Sequence, residues 1–281
     1  MRARLSRRAP RAVAGRWVVW AALAAGGIVM VFPVYWMFVT AFAPAGSFDR
    51  PRARLWPDRL TLANLQQAWN SQPIGRWAVN TTVIAVVSVA ITVVVSLLAG
   101  YAFAKYRFRG RNLLFAGILL TIMVPIQVIM VPEFLVTAKL HLVGTLWAVI
   151  LPRAAEGIAI FIARQFMLSI PDELLEAARI DGAGELTVFR RVVLPMCGPL
   201  VGVLVILTFV WRWNDFIWPL VALPGQNNFT LPLGLASMRG TYRSPIEAIM
   251  AVSTISMIPV MVIFVVFQRR FVQGIASTGL K

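Results

Sequence analysis

The sequence predicts an all-α polytopic membrane protein, with six transmembrane helices and a polar cytoplasmic loop between the fourth and the fifth. Three observations carry this. Of the 281 residues, 59% are hydrophobic and only 14% charged, and the mean hydropathy is +0.77, outside the range of soluble domains. Residues 17–48, 77–104, 113–132, 192–211 and 248–268 carry no charged side chain, and a helix crosses the hydrocarbon in roughly 20 apolar residues. The apolar runs are continuous, whereas a membrane β-barrel would show short alternating strands.

Residues 1–16 form a basic tail, with Arg2, Arg4, Arg7, Arg8, Arg11 and Arg16 suited to an anionic leaflet. The first span is expected at 17–42, with a kink at Pro33. Its apolar stretch is longer than the core of a secretory signal, so it reads as an uncleaved helix despite Ala41-Phe42-Ala43. In the following loop, Thr61 is placed to cap a short interfacial helix with Leu62, Leu65 and Trp69 on one face.

Further spans are expected at 77–102, 113–135, 144–164, 196–221 and 246–268, giving a transmembrane domain over 17–268 and a tail at 269–281. Pro125 and Pro132 interrupt the third. Prolines at membrane depth free carbonyls that need partners in protein or a watered cavity. The fourth contains Arg153 and Glu156. With the N-terminus inside, the cytoplasmic pieces hold about twice as many Lys and Arg as the external loops. That bias predicts both termini in the cytoplasm. The net charge of +16 therefore reflects topology, since the basic residues form no nucleic-acid-binding module.

Enzymatic chemistry is poorly supplied. One histidine, His141, and one cysteine, Cys197, exclude a His/Cys metal cluster and any disulfide within the chain. No Gly-Lys pair occurs, so there is no phosphate-binding loop for ATP. Any ATP-driven work requires another subunit.

Residues 165–195 interrupt the apolar pattern. Ser169 followed by Asp172 resembles a capping box, with Pro171 in the first turn. Ile170, Leu174, Ala177 and Ala178 share one side of a short helix, and Asp172, Glu173 and Glu176 lie near its start. Gly182 and Gly184 permit a turn, and a second amphipathic segment runs to Pro195. The residues alone leave open a plain surface loop or a docking element for a partner's cleft.

Glu176-Ala177-Ala178, Asp181-Gly182-Ala183, Phe189, Leu194-Pro195 and Pro199 together resemble the signature of bacterial ABC-importer permeases. YAFAKYRFRGRNLL, MVPIQVIMVPEFL, RQFMLSIPDELLEAARIDGA and WNDFIWPL are similar to the carbohydrate-uptake branch, in particular the second permease of maltose-type and glycerol-phosphate-type systems. The resemblance implies an alternating-access permease in the bacterial inner membrane, paired with a second permease, two copies of an ATPase that binds ATP and Mg, and an extracytoplasmic binding protein. It further implies that Glu176, Ala177, Ala178, Asp181, Gly182 and Ala183 form the coupling helix and turn against the ATPase. A rival class, the ion-coupled secondary transporter, would carry its own coupling residues in broken helices. A non-transporting membrane scaffold is a third.

Intramembrane charge is the remaining signal. Arg153 and Glu156, and likewise Arg212 and Asp215, are spaced to pair at i,i+3. Charge at this depth is costly and is usually found facing a cavity. A sugar needs hydrogen-bonding groups and aromatic faces, so Arg153, Glu156, Trp211, Trp213, Asn214 and Asp215 are candidates for the substrate pathway, with Trp218 beside them. Aromatic residues near span ends also form the ordinary interfacial belt.

Overall fold

In the structure, a computed structural model, residues 11–47, 55–240 and 246–278 are described. The basic tail before Arg11, the arginines at 50, 52 and 54, and the last three residues lie outside them. The described residues divide into two units, one of 11–47, 55–71 and 246–254, the other of 72–240 and 255–278.

In the first unit, a long apolar sequence gives α1 (Arg11–Ala41), which continues through Pro33. Thr61 caps α2 (Ala63–Ser71), its hydroxyl accepting from the Ala63 N–H at 3.1 Å. The face turned inward differs from the expected one. Asn64 and Ala68 are buried, while Leu62 and Trp69 are exposed. The reason is polar: the Asn64 amide donates to the carbonyls of Ala41 (3.0 Å) and Ala43 (2.6 Å), satisfying acceptors freed where α1 ends.

The second unit is built on α3 (Ile74–Lys105). Three of the remaining predicted spans are each divided by a break in the helix. The third divides at Val124-Pro125 into α4 (Arg111–Met123) and α5 (Ile126–Lys139), bent by 107°. Pro125 removes a donor and disfavours helix at Val124, which is extended at ψ 119°. The fourth begins as α6 (Trp147–Ile150) and a 3-10 turn through Arg153, breaks at 154–156, and resumes as α7 (Gly157–Leu168). The polar stretch contains α8 (Asp172–Ile180), α9 (Glu185–Val188), a π-helical turn at 189–193 and α10 (Leu194–Met196). The fifth span is α11 (Gly198–Trp213), which stops at 214–216 before α12 (Ile217–Ala222). After α13 (Leu231–Gly240), the sixth is α14 (Ile246–Thr278). Among the described residues, α1, α3 and α14 are long and apolar enough to cross a membrane unbroken. Two bent pairs, α4 with α5 and residues 185–196 with α11 at 75°, raise the number to five, and α7 is a shorter apolar helix.

Small residues allow close packing of α3 on α7. A Cβ added at Gly100 would stand 2.6 Å from the Ala163 Cβ and 2.9 Å from its carbonyl carbon, so the backbones meet as in other membrane helix pairs. Gly100→Val is expected to destabilise the protein by about 1–3 kcal/mol through overpacking. Thermal unfolding in detergent would reveal this as a lower midpoint with the membrane yield reduced.

Candidate functional site

Two places gather unusual chemistry: the loop around α8, and a group of charges at the helix breaks.

In the loop, carboxylates at the start of α8 complement its dipole. Ser169 does not form the expected capping box. Its hydroxyl instead donates to the Phe166 carbonyl at 2.7 Å, closing α7, and Pro171 occupies the cap of α8 without a side-chain bond. The inward face is also rotated from expectation: Leu175 is buried and Ala178 half-buried, whereas Leu174, Ala177 and Ile180 are exposed, Ile180 at 86%. Leu175 enters a core with Leu97 and Tyr101 of α3, Ala163 and Met167 of α7, and Leu200 of α11. The loop is therefore continuous with the packing of the long helices, while Glu176 and an apolar strip remain available outside.

The turn after α8 follows the Schellman pattern, with Ala183 N–H on the Ala178 carbonyl and Gly182 N–H on the Arg179 carbonyl, both at 3.0 Å. It requires the left-handed conformation at Gly182, where φ is +84°. Asp181 precedes it as the helix cap. Gly184 is extended at φ −69°, ψ 159°, a conformation open to any residue. The π turn at 189–193 runs into Pro195, which lacks an N–H for the α-helical ladder.

Ion pairs fasten this loop to the end of α3. Lys105 donates to Asp172 at 2.6 Å and to the Ile170 carbonyl at 2.5 Å. Tyr106 donates to Glu185 at 2.6 Å, and Arg179 reaches both oxygens of Glu185 at 2.8 and 3.2 Å. The composition of the α3–α4 turn indicated only a cytoplasmic end, so Lys105 and Tyr106 as fasteners were missed; no local spacing links them to residues about 65–80 positions away. The Lys105 ammonium holds the Asp172 carboxyl below its usual range. Arg179 and then Tyr106 do the same for Glu185. Depressed carboxylate values mean that these pairs stabilise fully above the unfolded range near about pH 4 and are lost only as pH falls through the lower folded values. Thermal stability should consequently show no titration of these two pairs between about pH 5 and 8. Comparing the pH profiles of wild type and Asp172→Asn tests this; a Glu185- or Asp172-dependent midpoint near neutrality would contradict it.

The second group joins the breaks. Arg153 does not pair with Glu156, because the helix between them is interrupted and the i,i+3 geometry is lost. Arg153 pairs with Glu133 of α5 at 3.3 Å, and Glu156, the cap of α7, pairs with Arg212 at 2.8 Å. Arg212 also meets Asp215 at 3.3 Å, the expected i,i+3 pair. Two clefts of about 470 and 490 Å³ share Ile129, Pro152 and Arg153; Glu133 borders the first, and Thr121, Glu156, Trp211 and Arg212 the second. The other candidates lie apart from the cleft walls. Trp213 is buried, stacked on Phe209 at 5.3 Å and donating to the Ser256 carbonyl. Asn214 donates to the Val210 carbonyl at 2.8 Å, ending α11, and Trp218 is buried, bonded to the Ala148 carbonyl. Glu133 is not among the residues singled out from sequence; a lone carboxylate inside an apolar span was the available signal.

Comparison with known proteins gives concordant findings. The family described as "Binding-protein-dependent transport system inner membrane component" matches residues 92–277. The chain is 36% identical to the arabinooligosaccharides transport system permease protein AraQ of Halalkalibacterium halodurans, over 94% of this chain and 96% of that one. It is 34% identical to the sn-glycerol-3-phosphate transport system permease protein UgpE of Yersinia pestis, over 90% and 93%. A crystal structure of a bacterial ABC transporter involved in the import of the acidic polysaccharide alginate contains a chain of the same fold, with TM-score 0.83 and 22% identity over 96% of this chain and 100% of that chain.

Proposed function

The chain belongs to the binding-protein-dependent transport system inner membrane components, the permease subunits of ABC importers, and we propose that its cargo is a carbohydrate or related polyol. It is a transport subunit and not an enzyme. In the reading we favour, it sits in the bacterial cytoplasmic membrane with both termini inside and pairs with a second, different permease. Two copies of an ATPase supply the energy, binding ATP and Mg, and an extracytoplasmic protein delivers the substrate. The names of the relatives favour a sugar or polyol.

Coupling is assigned to residues 165–195. One observation carries this: α8 exposes Glu176, Ala177 and Ile180 on one side, while Leu175 on the other is locked into the core formed with α3, α7 and α11. A partner that grips the outer face can move the long helices through the inner one. Ala177 is small enough for close approach, and Asp181, Gly182 and Ala183 fix the direction in which the chain leaves the contact. ATP binding, by preferring one state of the ATPase dimer, would bias the permeases between inward and outward openings. Arg153, Glu156, Trp211 and Arg212, lining the larger cleft, are proposed as this chain's part of the pathway; Asp215 pairs with Arg212 at 3.3 Å without lining that cleft.

Reconstitution of both permeases, the ATPase and the binding protein in proteoliposomes tests the reading. Loaded binding protein should raise ATP hydrolysis several-fold, and uptake should require ATP. Uptake driven by an ion gradient in the absence of the ATPase would contradict it.

A further inference from the structure

We propose that the cleft beside Arg153 and Arg212 is selective by charge, admitting uncharged polyhydroxyl substrates and disfavouring anions such as phosphorylated polyols or uronic acids. This rests on the reading of that cleft as part of the pathway. Three carboxylates, Glu133, Glu156 and Asp215, meet two guanidiniums, Arg153 and Arg212, in one pair and one triad, so the two sets together have a formal charge of minus one. Neither guanidinium stands ready for an anion. Arg153 is held by Glu133, both side chains being 13% exposed, and Arg212 is held between Glu156 and Asp215. An anionic substrate would have to displace a carboxylate already in place and leave it unpaired in a weakly screened site.

A hydroxyl asks for less. It can donate to a carboxylate and accept from a guanidinium without breaking the pair between them. The group also holds an unused acceptor and an unused donor behind the walls: Glu133 Oε1 and Arg212 Nε have no hydrogen-bond partner, and both atoms are enclosed by protein. One is an acceptor and the other a donor, and they belong to side chains bordering the two clefts that meet at Arg153. Trp211 adds an exposed aromatic face to the wall beside Arg212, suited to the apolar face of a sugar ring. The clefts thus let a neutral hydroxyl bond to groups that stay paired, and they offer an anion net repulsion.

The test reads the field of the wall without needing the substrate. Thr121→Cys and, separately, Ile129→Cys place a thiol on the cleft of the complete importer in proteoliposomes; the native Cys197 is buried. Each is treated with a trimethylammonium methanethiosulfonate and with a sulfonate one, and the ratio of rates is divided by the ratio for a free thiol in solution. A normalised preference for the cation of about threefold or more is expected. A smaller preference, or preference for the anion, overturns charge selectivity while leaving the pathway reading intact. No reaction with either reagent at either position, with or without ATP, removes the cleft from the pathway and the inference with it.

Discussion

Arg212→Met is expected to cost the permease about 3–5 kcal/mol, the effect of breaking a buried ion pair by removing one partner. Arg212 is 7% exposed and is the cation that both Glu156 and Asp215 face. Methionine would fill much of the volume and leave two carboxylates without their positive partner. Membrane yield should fall, and the thermal midpoint of the purified protein should fall with it. The effect should be largely reversed by adding Glu156→Gln and Asp215→Asn, because well-packed neutral groups can replace a buried ionic set at little cost. Failure of the triple variant to regain stability would show that the arginine matters chiefly through packing.

Gly182→Val should act differently, abolishing coupled uptake while membrane insertion is retained. The residue has φ +84°, and an added Cβ would meet nothing within 4 Å. The penalty is therefore backbone strain alone, of the order of 1–2 kcal/mol for an ordinary side chain and more for a β-branched one. The turn relieves that strain by leaving the left-handed conformation, which opens the Ala183–Ala178 and Gly182–Arg179 hydrogen bonds and redirects α9. Gly182→Ala should be intermediate. Uptake normalised to membrane-inserted protein measures this, and wild-type uptake in Gly182→Val would contradict the role given to the turn.

The difference between the two sites explains what was legible in the sequence. The loop announced itself because charges and glycines interrupt apolar runs, and its turn depends on one residue's conformational freedom. Hydropathy, however, counts residues without registering the direction of the helix axis. It read 144–164 as one span and so paired Arg153 with Glu156, although Pro152 and Gly157 bracket the break and were the punctuation available to reveal it. Once the helix is broken, Glu156 becomes a cap and turns toward Arg212. The rotation of α8 had a related cause. Leu174 and Leu175 are adjacent, and periodicity in a nine-residue helix cannot choose which is buried until α3, α7 and α11 are packed against it. Long-range fasteners such as Lys105 with Asp172 leave no local pattern at all.

Coupling through the outer face of α8 is the central claim, and disulfide crosslinking tests it most directly. Glu176→Cys in the assembled importer should crosslink to a cysteine placed in the cleft of the ATPase subunit, with a yield that changes when ATP is bound. Absence of any crosslink from Glu176→Cys, in every nucleotide state and with the complex shown to be intact, would contradict the account.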